Sequence, residues 1–184
     1  MPRPDVAPQR IYLGIDPGAS GGLAEIGVAQ RQYCKVVAMP GTERDIWEWI
    51  EERMVGVAVI EKVHAMPGNG VSGMFKFGMG YGGLRMALIA AGIPFEEVTS
   101  QAWLRALGIP FRKPHTKVRQ VEIKKGKNKG KLREERYGGE TDTEFKNRLK
   151  AKAQQLFPGI QVTLKTADAL LIALYCRRKH EGTL

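Results

Sequence analysis

The hydrophobic pattern changes period several times along the chain, and each change marks an element. Ile11 to Asp16 alternates as a strand does, Pro17-Gly18 begins a turn, and Gly21 to Val28 resumes an extended run toward Gln30-Arg31-Gln32. A third run, Tyr33 to Met39, completes a predicted antiparallel meander. Thr42 reads as an N-cap, with Asp45, Ile46, Trp49, Ile50 and Met54 following at helical spacing. Val57 to Ile60 is apolar at every position, as a strand covered on both faces would be.

From Val71 to Ala91 the positions of Met74, Phe75, Phe77, Tyr81, Leu84, Leu88 and Ile89 predict a helix, despite five glycines between Gly73 and Gly83. Ile93 to Val98 reads as a fifth strand and Ser100 to Leu107 as a short helix. Asp142 to Phe157 is an amphipathic helix stopped by Pro158-Gly159, and Thr166 to Arg178 forms the last helix. Between them, Val118 to Tyr137 surrounds a turn-rich run, Lys125 to Lys131, flanked by Val121, Ile123 and Leu132. That segment reads as a basic β-hairpin arm or a disordered basic loop.

Composition narrows the class. A chain of 184 residues with 43% hydrophobic content fills one core, so a single α/β domain is expected over 1–184, with 1–10 as a tail and 112–142 as the basic insertion. The net charge of +10 favours a polyanionic partner, nucleic acid or an anionic membrane surface. Residues 112 to 152 hold 15 of the 29 Lys and Arg but 6 of the 19 acids, a local net of +9. Cys34 and Cys176 lack disulfide or metal-ligand spacing and read as small buried hydrophobes in a reducing compartment. With no apolar run of membrane-spanning length and no apolar segment in Met1 to Arg10, the expectation is an intracellular, cytoplasmic protein with no membrane partner.

Three carboxylates lie in apolar surroundings: Asp16 before Pro17-Gly18, Glu61 after Val59-Ile60, and Asp168 between Ala167 and Ala169. If the first and fourth strands are parallel neighbours, Asp16 and Glu61 share a site at their carboxyl ends, about 4.8 Å apart. Two like charges at roughly 4 Å repel by about 4 kcal/mol at an effective dielectric of 20, a conflict that a divalent cation removes. Asp168, in the first turn of a helix whose Leu171, Ile172 and Tyr175 should face the sheet, would complete the set. Alone, Asp16 also fits an ordinary turn residue and Asp168 a helix N-terminal acid, whereas Glu61 at the end of an apolar strand has no such bland role. The three together point to Mg²⁺ or Mn²⁺.

These residues carry a resemblance. Ile15-Asp16-Pro17-Gly18 with Ser20-Gly21, Ile60-Glu61-Lys62-Val63, and Ala167-Asp168-Ala169-Leu170-Leu171-Ile172-Ala173 resemble the RuvC-type Holliday junction resolvases, particularly their compact phage and bacterial relatives. Met66-Pro67-Gly68-Asn69-Gly70-Val71, Met74-Phe75-Lys76-Phe77-Gly78 and Thr99-Ser100-Gln101-Ala102-Trp103 extend it over most of residues 11 to 180. The resemblance implies an RNase H-like fold with a five-stranded mixed sheet flanked by helices, a homodimer, and Mg²⁺- or Mn²⁺-dependent cleavage at a four-way DNA junction. It assigns Asp16, Glu61 and Asp168 as metal ligands and catalytic residues. Where the family commonly places a fourth acid or a histidine, this chain has Lys165, which would touch the scissile phosphate or stand in solvent.

Family members wedge an aromatic residue into the junction after the strand-four glutamate; His64 holds the comparable place, and His64 or Met66 would stack on a base. The helix after that loop dimerises in the family. Its glycines cost roughly 0.8–1 kcal/mol each relative to Ala, so close approach of another backbone or of DNA should compensate. Lys113, Lys117, Arg119, Lys124, Lys125 and Lys146 would neutralise flanking phosphates, and Ser20, Lys62, Asn69 and Lys76 are further expected DNA contacts. Rival readings are an RNase H-like nuclease acting on RNA–DNA hybrids or flaps, and a non-catalytic junction-binding protein. A piece of the actin and sugar-kinase superfold would need a second domain that 184 residues do not supply.

Overall fold

A computed structural model describes residues 10–28, 33–64 and 70–184 of the chain. Strands β1 (Arg10–Asp16), β2 (Gly22–Val28) and β3 (Tyr33–Ala38) form the meander, followed by helix α1 (Glu43–Glu51) and strand β4 (Val55–Glu61). Helix α2 (Val71–Ala90), strand β5 (Phe95–Val98) and helix α3 (Ser100–Ala106) come next. A separate hairpin of β6 (Lys117–Glu122) and β7 (Leu132–Tyr137) precedes helices α4 (Asp142–Leu156) and α5 (Ala167–His180). The basic segment is therefore a hairpin and not a loop. Thr42 caps α1 as its sequence predicts, its hydroxyl accepting from the Asp45 N–H at 3.1 Å.

The five main strands lie in the order β3-β2-β1-β4-β5. β1 is antiparallel to β2 and parallel to β4, with Ile15 opposite Ile60. Alternation along these central strands sends their side chains to two cores. Leu13, Ile15, Ala58 and Ile60 pack toward α1 and α2 with Ile50, Leu84 and Leu88. Tyr12 and Val59 point the other way, into a core shared with α3, α4 and α5.

Helix α5 is buried on more than the side that meets the sheet. Every residue from Ala169 to Cys176 is buried, because the sheet covers one side while α3 and α4 cover others. The helix seats so closely on β1 that a Cβ at Gly14 would lie 2.2 Å from the Ala173 nitrogen and 2.3 Å from the Ala169 oxygen. Only a glycine allows this backbone-to-backbone contact. Cys176 is buried as expected, whereas Cys34 is half-buried at the rim.

Helix α2 leaves its glycines open within the chain. A Cβ on Gly73, Gly78, Gly80 or Gly82 would meet nothing within 4 Å, and one on Gly83 only the Glu43 side chain at 3.7 Å. Among the described residues no backbone approaches these glycines. Beside them Phe75, Met79, Met86 and Ile89 form an exposed apolar stripe.

Candidate active site

Strand parity assembles the site. Asp16 follows Ile15 as Glu61 follows Ile60 in the parallel register, so both carboxylates leave the sheet on the face that carries Tyr12 and Val59. That face is covered by α5, whose first turn contains Asp168. The Gly14 contact holds α5 one turn from the end of β1 and brings Asp168 toward Asp16. Gly21, on the returning strand's approach, leaves room for the acid: a Cβ there would lie 2.9 Å from the Asp16 carboxyl carbon.

All three acids are half-buried. Burial, then the charge of Asp168, then that of Glu61 raise Asp16 well above the ordinary carboxylate range. Burial and Asp168 push Glu61 up to about 7, against hydrogen bonds from Trp103 and Ser100 that favour its charged form. Asp168 rises to about 6 through burial. Each pair of the triangle thus feels the other, and the protein keeps three acids where charge is disfavoured. The side chains stand apart all the same: among the described residues, no group of three His, Cys, Asp or Glu is drawn close enough to hold a metal ion.

Two further residues act on these acids: Trp103, which the sequence did not mark as a site member, and Lys146, which it marked only as a phosphate contact. The Trp103 indole N–H donates to Glu61 Oε1 at 3.2 Å. Trp103 itself is buried on α3, which Thr99 caps directly after β5, the strand beside β4. Its apolar helical position reads as core, and only the sheet order places its nitrogen against Glu61. Lys146, expected as a phosphate contact, lies on α4 where its charge lowers the pKa of both Asp16 and Asp168. A lysine on the polar face of an amphipathic helix gives no sequence signal for that position.

The other expected residues divide by location. Lys165 is exposed just before α5, and its backbone carbonyl closes over Gly22. Ser20 is exposed in the turn after β1. Lys62 is exposed beyond β4, its N–H bonded to the Val98 carbonyl at 2.7 Å. His64 and Lys62 line a cleft of about 580 Å³ with Glu61, Met74, Phe77 and Ser100. Lys76, on α2, lines a separate cavity of about 440 Å³ on the other side of Phe77, with Gly18 and Glu43. Met66 and Asn69 lie outside the described residues. Lys113 is exposed at the root of the hairpin, Lys117 and Arg119 on β6, and Lys124 and Lys125 near its tip.

No family model matches the sequence, and no curated protein is similar to it. Solved structures are similar in fold. A structure described as T. thermophilus RuvC in complex with Holliday junction substrate has 16% identity and a TM-score of 0.57, over 94% of this chain and 97% of that one. A second Thermus thermophilus RuvC structure has 17% identity and a TM-score of 0.56 over the same shares. The five-stranded mixed sheet flanked by helices is thus the RNase H-like fold of RuvC.

Proposed function

We propose that this chain is a structure-selective DNA endonuclease that resolves four-way junctions by metal-dependent phosphodiester hydrolysis, as a homodimer. The observation that carries the reading is the mutually repelling triangle of Asp16, Glu61 and Asp168 at the carboxyl edge of a sheet with the RuvC fold. The solved protein with that fold holds a Holliday junction substrate.

The donor set fits a hard divalent cation, since three half-buried carboxylates repel one another and, of the charges that act on Asp16 and Asp168, Lys146 is the one among the described residues that offsets them. Asp16, Glu61 and Asp168 would hold Mg²⁺ or Mn²⁺, which supplies Lewis acidity at the phosphate and lowers the pKa of an attacking water. The chain's own residues do the rest. Trp103 and Ser100 orient Glu61 and favour its charged form through their hydrogen bonds. Gly18, at φ +101°, turns the chain two residues after Asp16, and the Phe77 ring fills the space that a side chain there would need. Lys146 offers positive charge to a phosphate oxygen beside Asp16 and Asp168, the role otherwise open to Lys165. His64 lines the cleft next to Glu61, within which an unpaired base would stack.

Homodimer formation rests on α2. Phe75, Met79, Met86 and Ile89 are each more than half exposed, and the glycines beside them would accept a Cβ without contact. A second copy of the helix packed on this stripe accounts for both facts.

A four-way junction, a linear duplex and an RNA–DNA hybrid, each incubated with Mg²⁺, Mn²⁺ or EDTA, test the proposal on one gel. Paired nicks in the junction alone, abolished by EDTA, are expected; preferential cleavage of the hybrid would replace this reading with another RNase H-like nuclease. The second reading, a junction-binding protein without catalysis, draws on the separation of the three acids. Tight junction binding with no cleavage in either metal would favour it.

A further inference from the structure

The β6–β7 hairpin carries its charge unevenly. Its strands set Lys117, Arg119, Arg133 and Arg136 against Glu122, Glu134 and Glu135, a net of +1. The connection between them holds Lys124, Lys125, Lys127, Lys129 and Lys131 and no acid. On the stem Arg119 is engaged: it pairs with Glu135 directly across the ladder at 2.6 Å, and its guanidinium sits 5.1 Å from the Tyr137 ring centre. The side chain of Lys117 lies against Gly138. All five tip lysines are exposed.

The tip has a defined shape. Gly126 and Gly130 take positive φ, and Ile123 and Lys131 close the ladder with a 2.9 Å bond from the Ile123 N–H to the Lys131 carbonyl. The root is fastened to the body. Gly139 N–H donates to His115 Nδ1 at 3.2 Å, Glu140 N–H to the Lys113 carbonyl at 3.0 Å, and Arg148 of α4 binds Glu140 at 2.8 Å and the Pro110 carbonyl at 3.0 Å. Neither strand is buried against the central sheet. The hairpin is a near-neutral stalk, rooted on the helix that carries Lys146 and capped by five lysines.

We infer that this cap grips the phosphate backbone of a duplex arm at a distance from the cleavage site, while the stem makes no essential DNA contact. The inference rests on the proposed junction substrate. Six residues per strand at about 3.3 Å span about 20 Å, or roughly six base pairs at 3.4 Å per step. Lysines on mobile stems at a loop tip hold phosphates as point charges and read no sequence. Affinity should therefore depend on the length of the DNA arms, not only on the branch point.

The test uses the full chain with all five tip lysines changed to Gln, and a second variant in which residues 123–131 are replaced by Asn-Gly. Both are checked for the wild-type circular dichroism spectrum. Binding is measured in EDTA to junctions whose four loop-closed arms have 5 or 15 base pairs, over a series of salt concentrations. Wild type should prefer the long-armed junction by about tenfold or more, and both variants should bind the two equally. In the variants the slope of log K against log salt should fall by about 4.5, about 0.9 for each of the five lysines. An unchanged slope and arm-length preference in both would overturn the inference. Tip-dependent binding to a 15-base-pair duplex, without junction preference or cleavage, would sustain the grip while the junction function fails. Tip-dependent binding to phosphatidylserine vesicles that exceeds duplex binding at equal salt would overturn it in favour of a membrane surface.

Discussion

The indole N–H of Trp103 donates to Glu61 Oε1 at 3.2 Å, across an interval of 42 residues. A buried aromatic side chain on α3, together with Ser100, thereby holds the carboxylate at the end of β4. Outer hydrogen-bond partners of metal-binding groups typically matter 10- to 100-fold for affinity. Trp103→Phe should therefore weaken Mn²⁺ binding by about tenfold in titration calorimetry, with junction binding in EDTA unchanged. In wild type, the Trp103 indole proton resonance should move on adding Mg²⁺. A resonance indifferent to Mg²⁺, together with wild-type Mn²⁺ affinity in the variant, would reduce Trp103 to packing.

The raised acids make the metal-free protein sensitive to pH. Glu61 near 7 and Asp168 near 6 bind protons more tightly folded than unfolded, where Glu and Asp titrate near 4.5 and 3.8. The folded state holds more protons across that interval, so stability is full below about pH 4, falls as pH rises through 6 to 7, and is level above. Glu61 alone should account for a loss on the order of 3 kcal/mol. Urea unfolding in EDTA at pH 5 and pH 8 measures the difference, and excess Mg²⁺ should remove much of it at pH 8. Equal stability at both pH values would mean that the acids are not held in conflict.

Lys146 and Lys165 make opposite predictions. Lys146 lowers the pKa of Asp16 and Asp168, whereas Lys165 is exposed ahead of α5. Lys146→Gln should raise the Asp168 titration above about 6 in carboxyl NMR and slow cleavage by about tenfold or more. Lys165→Gln should leave both within about twofold. The reverse ranking would return the phosphate contact to Lys165.

Two glycines should respond to alanine in opposite directions. Gly14→Ala forces a Cβ to within 2.2 Å of the α5 backbone and should destabilise by about 3 kcal/mol or more, or prevent folding. Gly78→Ala meets no atom within 4 Å and should stabilise the isolated chain by about 0.8–1 kcal/mol through helix propensity. If α2 packs on a second copy, the same change should shift sedimentation toward monomer. A variant with unaltered self-association would remove Gly78 from the seam.

The sequence by itself determined the elements and the three acids. Period-two runs marked β1, β2 and β3, helical spacing after Thr42 marked α1, and an unbroken apolar run ending in Glu61 marked β4, because each signal lies within a few residues along the chain. Asp16, Glu61 and Asp168 were legible for the same reason: a carboxylate among apolar neighbours is costly to keep ionised and stands out locally. Tertiary structure decided what depends on contacts far apart in the chain. The parallel pairing of β1 with β4 put Asp16 and Glu61 on one face, and the contact at Gly14 set the first turn of α5, with Asp168, over that same face. Trp103 and Lys146 joined the site only through sheet order and helix packing, since an indole on an apolar face and a lysine on a polar one look ordinary in sequence. The basic segment needed its ladder too: local charge allowed either a loop or a hairpin, and the pairing of Lys117 to Glu122 with Leu132 to Tyr137 chose the hairpin.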